Sequence, residues 1–222
     1  MDLEEARKFW TVAQKFPPDK ESVYPGHAEA HGFDTCLGKH VLEYGCGGGS
    51  DTCSMLRRGA SVFFVDIVPG NVGLTRARAS NTGGIMIGNA VGAVLEQSDS
   101  IPLHACAVDR VSCHGVLHHI EETVMHRVID DFHRVLRPDG EVFAMLYTEK
   151  LFAKCEPQVR ALMQQQGWSQ DRAFSYCTDG GGIARYYTEQ TGRELFEQHS
   201  FEFILAVEYN DGDFRTFRVK RR

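Results

Sequence analysis

The feature that most constrains this chain is the run of residues 41–50, where an apolar strand pattern ends in closely spaced glycines. Glu43 stands at the end of the strand pattern, and Gly45, Gly47 and Gly49 follow before a helical pattern begins. Glycines let the backbone turn sharply and approach a ligand closely. The amides of a helix that follows such a turn face the crevice at the strand ends. The run therefore predicts a ligand-binding strand–turn–helix unit.

From residue 39 onward, short β-branched runs alternate with helical patterns, which is typical of a parallel sheet with helices on both faces. Strands are predicted at 39–44, 61–66, 93–98, 108–114 and 141–148. Helices are predicted at 51–58, 71–80, 121–136 and 188–199. Segments 201–209 and 213–220 flank Asn-Asp-Gly at 210–212, which predicts an antiparallel hairpin. The expected fold class is α/β, with seven mostly parallel strands.

The chain is expected to form one domain, because 222 residues are close to the largest number that one core usually serves. Residues 1–38 are predicted to be a partly helical cap segment, 39–148 the ligand-binding core, and 188–222 the final helix and hairpin. Residues 149–187 form a long insertion with glycines at 180–182. Insertions here often cover the active site. We expect this insertion, with the segment around Tyr24, to form a lid.

The acids around the glycine loop distinguish between classes of ligand. A dinucleotide-binding turn has a third glycine where this chain has Ser50. Glu43 would repel a pyrophosphate, but it suits a ligand that carries an ammonium group. Asp66 ends the second strand, where a carboxylate can accept hydrogen bonds from both ribose hydroxyls. An adenosine ligand with a positively charged tail therefore fits better than NAD.

Five motifs, in order, resemble those of class I S-adenosylmethionine-dependent methyltransferases, particularly the small-molecule, type 11/25-like group. They lie at 41–49, 64–67, 97–103, 108–120 and 135–140. The resemblance covers residues 39–148 closely and both ends loosely. It implies a Rossmann-like fold, S-adenosyl-L-methionine as the cofactor, and a small molecule as the methyl acceptor.

The resemblance also implies which residues hold the methionine end of the cofactor. Gly45, Cys46 and Gly47 would surround the methionine moiety. Glu43 would hold its ammonium group, directly or through water. The backbone of His114 would lie near the sulfonium.

At the adenosine end, the resemblance implies that Asp66 binds the ribose and that Ile67 packs on the adenine. Asp99 and Ser100 would contact the adenine edge, although the span from Asp66 to Asp99 is longer than usual for the group. Tyr24 lies where such enzymes carry a segment that closes over the cofactor. A surface turn is the alternative interpretation of that segment.

Methyl transfer from a sulfonium is an in-line displacement, so the protein must align the reacting atoms and exclude water. His118 and His119 follow the fourth strand, close to the expected methyl position, and Tyr147 ends the fifth strand. We predict catalytic roles for these three residues; for His119, orientation of the following helix is the alternative. Arg185 and Tyr186, with Tyr147, are predicted to bind the acceptor. An exposed arginine and a buried ring are the alternatives for this pair.

Composition limits the partners. A net charge of −6 disfavours a nucleic acid, and no apolar run approaches the roughly 20 residues that span a bilayer. The acidic first residues are unlike a secretory signal, so a cytoplasmic location is expected. Seven scattered cysteines without a CxxC pair predict neither a disulfide framework nor a metal site. The oligomeric state stays open.

The sequence thus predicts methyl transfer from S-adenosylmethionine to a small molecule, with the acceptor atom undetermined. One alternative is an RNA or protein methyltransferase; the acidic charge disfavours RNA. A second is a cofactor-binding subunit that supports a partner without catalysis.

Overall fold

The computed structural model describes residues 3–13, 26–81, 89–166 and 184–222. The strands of its sheet are β1 (His40–Tyr44), β2 (Ser61–Asp66), β3 (Ala90–Val94), β4 (Val108–His114), β5 (Leu136–Thr148), β6 (Tyr186–Tyr187), β7 (Phe201–Tyr209) and β8 (Phe214–Arg221). The helices are α1 (Leu3–Ala13), α2 (His27–Ala30), α3 (Ser50–Arg57), α4 (Pro69–Asn81), α5 (Glu122–Val135), α6 (Glu149–Gln166) and α7 (Glu189–Glu197). None of these helices is long and apolar enough to cross a bilayer.

The strands form one sheet in the order β3-β2-β1-β4-β5-β8-β7, and the short β6 also pairs with β5. Strands β1 to β6 pair in parallel, whereas β8 is antiparallel to both β5 and β7. The predicted α/β class and the C-terminal hairpin are confirmed. The seven predicted strands make up the continuous path, and β6 is an addition.

Helices cover both faces of the sheet. Side chains of α5 and α7 pack in one buried cluster, and side chains of α3 and α4 pack in another. Neighbouring residues of β1, Val41 and Leu42, belong to opposite clusters, because successive strand residues point to opposite faces. On α5, the apolar stripe that faces the sheet is buried, with Val124 only partly so; its other members are Val128, Ile129, Phe132 and Val135.

The third strand differs from the sequence prediction. It runs from Ala90 to Val94 instead of 93–98, and Gly92 lies inside it opposite Phe64 of β2. A Cβ on Gly92 would overlap the Phe64 ring, which is fully buried. The glycine is therefore a packing requirement of the sheet, and the strand begins three residues before the predicted one.

Residues 137–140, which separate the predicted helix at 121–136 from the predicted strand at 141–148, lie within β5. Pairing with β4 is irregular between Val108 and Arg110, and Asp139 has a φ of 63°. After the insertion, Thr188 caps α7. Thr191 completes a reciprocal capping box, because its hydroxyl accepts from the Thr188 amide.

Candidate active site

The glycine loop joins β1 to α3 in a conformation that favours glycine. Gly45, Gly47 and Gly49 have φ values of 83°, 48° and 80°, in the left-handed region. The Gly45 amide donates to the Val65 carbonyl over 2.8 Å, which fixes the loop to β2. A Cβ on Gly45 would overlap the side chain of Val116, which follows β4. The loop therefore lies close to the carboxyl ends of both strands beside β1.

Asp66 connects the end of β2 to this loop. Its Oδ2 accepts a hydrogen bond from the Gly47 amide at 2.9 Å, and its Oδ1 accepts one from the Val68 amide at 2.8 Å. Burial raises the pKa of Asp66, and the amides of Val68 and Gly47 oppose that effect. The sequence predicted a ribose contact for this carboxyl; anchoring the glycine loop is a role that the sequence did not indicate.

Glu43 lies directly before the loop and is buried. The hydroxyl of Thr52, in the first turns of α3, donates to its carboxyl group. Burial, and then the nearby Asp51 carboxylate, raise the pKa of Glu43 well above its usual range. A cation bound beside Glu43 would favour the charged form, because an opposite charge stabilises an ionised carboxyl.

Cys46 of the same loop is a packing residue. Its side chain is buried, and the Thr75 hydroxyl lies 3.4 Å from its sulfur. Burial raises the pKa of the Cys46 thiol far above its usual value. The thiol is thus protonated and unreactive. The contact of Cys46 with the methionine moiety stays a prediction.

The expected adenosine end lies where α1 crosses the ends of β2 and β3. Arg7 of α1 donates to the carbonyl of Ile67 at 2.9 Å and to that of Leu95 at 2.5 Å. Ile67, the predicted adenine contact, is half-buried there. The sequence predicted a partly helical N-terminal segment, but it gave no signal for this contact.

Asp99 and Ser100, predicted to contact the adenine edge, follow β3. The Arg127 guanidinium of α5 donates to the Asp99 carboxylate, and Ser100 is exposed. The Tyr44 hydroxyl donates to the Ser98 carbonyl at 2.6 Å, which ties the segment to β1. The adenine role of Asp99 and Ser100 stays a prediction, and Asp99 has Arg127 as a competing partner.

The predicted acceptor residues come together at the ends of β4 and β5. The rings of His118 and Tyr147 lie 3.8 Å apart between centroids, and the His119 ring lies 4.2 Å from that of His118. His118 is fully buried, and neither of its ring nitrogens has a hydrogen-bond partner among the described residues. Burial, then His119 and His114, lower the pKa of His118 well below its usual range. His118 is therefore neutral at pH 7.

Arg185 and Tyr186 join this group from the end of the insertion. The Arg185 amide donates to the His118 carbonyl at 3.0 Å, and its guanidinium donates to the Ile120 carbonyl. The side chain was expected to be free for an acceptor, but it is in fact engaged with the turn after β4. Tyr186 pairs with Tyr147 across β5 and β6, with 6.0 Å between ring centroids.

The remaining lid predictions lie outside the described residues. Tyr24 and the glycines at 180–182 belong to the parts of the chain that the structure does not describe. Within the described residues, α1 also reaches the acceptor side, because Trp10 contacts the His119 ring edge-on, with 4.7 Å between centroids.

A group of four side chains near the end of β4 was not predicted from the sequence. The histidine cluster consists of His27 and His31, both on or next to α2, and His114 at the end of β4. Asp51 of α3 contacts two of them, at 2.9 Å from His27 Nε2 and 3.1 Å from His114 Nδ1. The i, i+4 spacing of His27 and His31 was the available signal, but nothing local connects the pair to His114.

Burial and the neighbouring groups shift the pKa values of Asp51, His31 and His114. Burial alone would raise the pKa of Asp51, but His27 and His114 outweigh burial and hold this pKa well below its usual range. Burial, and then His27, lower the pKa values of His31 and His114. Asp51 is thus an ionised carboxylate that neighbours the loop, the helix α2 and β4.

Fold and site together define the class I S-adenosylmethionine-dependent methyltransferase architecture. Residues 41–140 match the family model described as "Methyltransferase domain". That stretch includes the glycine loop, Asp66 and the fourth-strand turn. This part of the chain is therefore a methyltransferase domain, as the sequence motifs predicted.

Solved structures agree with this assignment at the level of the fold. An S-adenosylmethionine-dependent methyltransferase from Methanosarcina mazei superposes with a TM-score of 0.68 at 20% identity, over 90% of this chain and 98% of that one. The 1,6-didemethyltoxoflavin-N1-methyltransferase of Burkholderia thailandensis was solved with bound 1,6-didemethyltoxoflavin and S-adenosylhomocysteine. It superposes with a TM-score of 0.63 at 16% identity, over 99% of this chain and 83% of that one.

A curated relative is the ubiquinone biosynthesis O-methyltransferase of Cronobacter sakazakii. It is 31% identical over 153 residues, which cover 64% of this chain and 60% of the relative. The chain spans about 40–60% of the length of the first curated relatives it matches.

Proposed function

We propose that this chain transfers the methyl group of S-adenosyl-L-methionine to a small molecule, with a hydroxyl oxygen as the acceptor atom. The observation that carries the proposal is the glycine loop between two buried acids. Glu43 precedes the loop, and Asp66 holds the loop amide of Gly47 at 2.9 Å. A cationic amino-acid tail and a ribose are the two groups that such a pair of acids suits.

The cofactor contacts are those that the motifs imply. Glu43, Gly45, Cys46 and Gly47 form the methionine end, and Asp66 the ribose end. The contiguity of these residues in the fold supports this arrangement, since all lie on β1, the loop or the end of β2.

The acceptor would bind against Tyr147 and Tyr186, at the carboxyl ends of β4 and β5, with the buried His118 ring packed behind Tyr147. These aromatic and imidazole rings favour a planar, uncharged acceptor. The named activity of the Cronobacter sakazakii relative supports an oxygen acceptor. The protein would orient the hydroxyl oxygen in line with the methyl carbon and the sulfur, so that one C–O bond forms as the C–S bond breaks.

The test uses the cofactor with a labelled methyl group and two fractions of a cell extract, one of small metabolites and one of macromolecules. We expect label in the small-metabolite fraction. Label in the macromolecules alone would favour the RNA or protein alternative, and label in neither would favour a subunit without catalysis.

A binding measurement tests the cofactor site itself. Asp66→Ala removes a carboxylate whose hydrogen bonds to ribose are worth about 1.5–3 kcal/mol each. Calorimetry should show at least about tenfold weaker binding of S-adenosylhomocysteine. The matched control is Asp34→Ala, since Asp34 is exposed and pairs only with Arg58 in the described contacts. Equal affinities in the two folded variants would contradict the assignment.

A further inference from the structure

The histidine cluster brings three buried or half-buried imidazole rings together, and the hydrogen bonds of the described residues leave the Nδ1 of His31 without a partner. The ring of His27 lies 4.4 Å from that of His31 and 3.9 Å from that of His114, between centroids. One nitrogen from each ring lies within 4.8 Å of the other two. Ligand atoms around a tetrahedral zinc ion lie about 3.4 Å apart. Small side-chain rotations would therefore bring the three ring nitrogens to the spacing that zinc requires.

His31 carries the clearest sign of a missing partner. It is fully buried, with 0% of its surface accessible to solvent. Its Nε2 lies 3.1 Å from the Thr216 hydroxyl, whereas its Nδ1 has no hydrogen-bond partner among the described residues. Leaving a buried polar atom unpaired costs about 1–3 kcal/mol. A bound ion would supply the partner that the described part of the chain does not.

Asp51 has the position of a carboxylate that orients metal-binding histidines. Its Oδ2 accepts from a ring nitrogen of His27 and from one of His114. The tautomer that gives one N–H to a carboxylate carries its lone pair on the other ring nitrogen, as a metal ion requires. Asp51 also supplies a negative charge beside the ion.

We propose that His27, His31 and His114 bind a divalent transition-metal ion of the zinc type, oriented by Asp51. Imidazole ligands suit zinc, iron, nickel and copper ions better than magnesium or calcium. Three protein ligands leave one position of a tetrahedral ion open. His114 is the ligand nearest the crevice, because 19% of its side chain is exposed while His27 is fully covered.

The role of this ion in the reaction rests on the proposed function. His114 ends β4, beside the crevice in which the methyl group would lie. An ion with an open position would bind the acceptor hydroxyl and lower its pKa, as zinc does for water. The hydroxyl proton would pass to bulk water, the oxygen would attack the methyl carbon, and neutral S-adenosylhomocysteine would leave.

The test is a calorimetric titration of the untagged, chelator-treated chain with Zn²⁺, repeated with Co²⁺ to follow visible absorption. We expect one ion per chain and the absorption of four-coordinate Co²⁺. Asp51→Asn should weaken Zn²⁺ binding by about 10- to 100-fold, the usual effect of removing an outer-shell carboxylate. His31→Gln, which removes a ligand, should weaken binding at least as much.

A second histidine pair provides the matched control. His199 lies 2.8 Å from His126 and 2.6 Å from the Asp130 carboxylate, but no third histidine joins them among the described residues. His199→Gln should leave Zn²⁺ affinity unchanged. Absence of binding in the natural chain, or an equal loss in His199→Gln, would overturn the site.

Two further measurements keep the outcome decisive. If His31→Gln does not fold, His114→Gln replaces it, and unchanged Zn²⁺ affinity in that variant would overturn the site. S-adenosylhomocysteine affinity is measured on the same samples. A chain that binds the ion but not the cofactor supports the metal site and contradicts the proposed function; the reverse result overturns only the metal site.

Discussion

At the scale of single residues, the two acids of the cofactor site differ in what holds them. Asp66 receives two backbone amides, which oppose the effect of burial on its pKa. Burial, and then the like charge of Asp51, raise the pKa of Glu43 well above its usual range, although the hydrogen bond from the Thr52 hydroxyl opposes them. Of the two, Glu43 is therefore the group whose charge should depend most on a bound cation.

This difference predicts a pH dependence of cofactor binding. The charged form of Glu43 is the one that attracts the ammonium group, and a raised pKa leaves the neutral form populated at higher pH than usual. Affinity for S-adenosylhomocysteine should therefore fall as pH decreases through that raised pKa. Glu43→Gln should bind more weakly and lose this part of the pH dependence. Calorimetry at several pH values checks both; identical pH profiles for Glu43→Gln and the natural chain would contradict the role.

At the scale of elements, β3 and α4 each contain a glycine, and the two differ in the space available for a side chain. Gly92 of β3 faces the buried Phe64 ring without room for a Cβ, whereas a Cβ on Gly73 of α4 would meet nothing within 4 Å. The same substitution should therefore have opposite effects on the free energy of unfolding.

Gly92→Ala should destabilise the chain by about 1–3 kcal/mol, because the added methyl forces Phe64 or the strand to move. Gly73→Ala should stabilise it by about 0.5–1 kcal/mol, since alanine is the better helix former. Urea unfolding monitored by circular dichroism measures both. A Gly92→Ala chain as stable as the natural one would show that β3 has a different register.

The helix α1 covers the ends of β2 and β3 through Arg7, and this contact predicts a role in cofactor retention. Arg7→Ala removes two hydrogen bonds from a charged group to the carbonyls of Ile67 and Leu95. We expect S-adenosylhomocysteine to dissociate roughly fivefold faster, equivalent to about 1 kcal/mol. Lys8→Ala is the control, because Lys8 is exposed and pairs with Glu4 of the same helix. Stopped-flow dissociation rates that are equal in the two variants would contradict the prediction.

At the scale of the whole molecule, local patterns predicted the fold, and they placed the glycine loop and Asp66 at neighbouring strand ends. These residues were identifiable because each directly follows or ends a strand pattern in the sequence. The third strand was predicted three residues too late, and the requirement for Gly92 comes from Phe64 on another strand, which no local pattern shows. The histidine cluster and the contact of Trp10 with His119 join distant segments, so no local pattern indicates them.

The position of β8 has a consequence for the order in which this molecule is completed during synthesis. Residues 214–221 form a strand that lies between β5 and β7, inside the sheet. Pairing of β5 with β8 must therefore wait until nearly all of the described chain has left the ribosome. Thr216 of β8 contacts His31, and Tyr209 of β7 contacts His27. The parallel strands around the glycine loop can thus assemble on the nascent chain, whereas the surroundings of these two histidines are among the last parts to form.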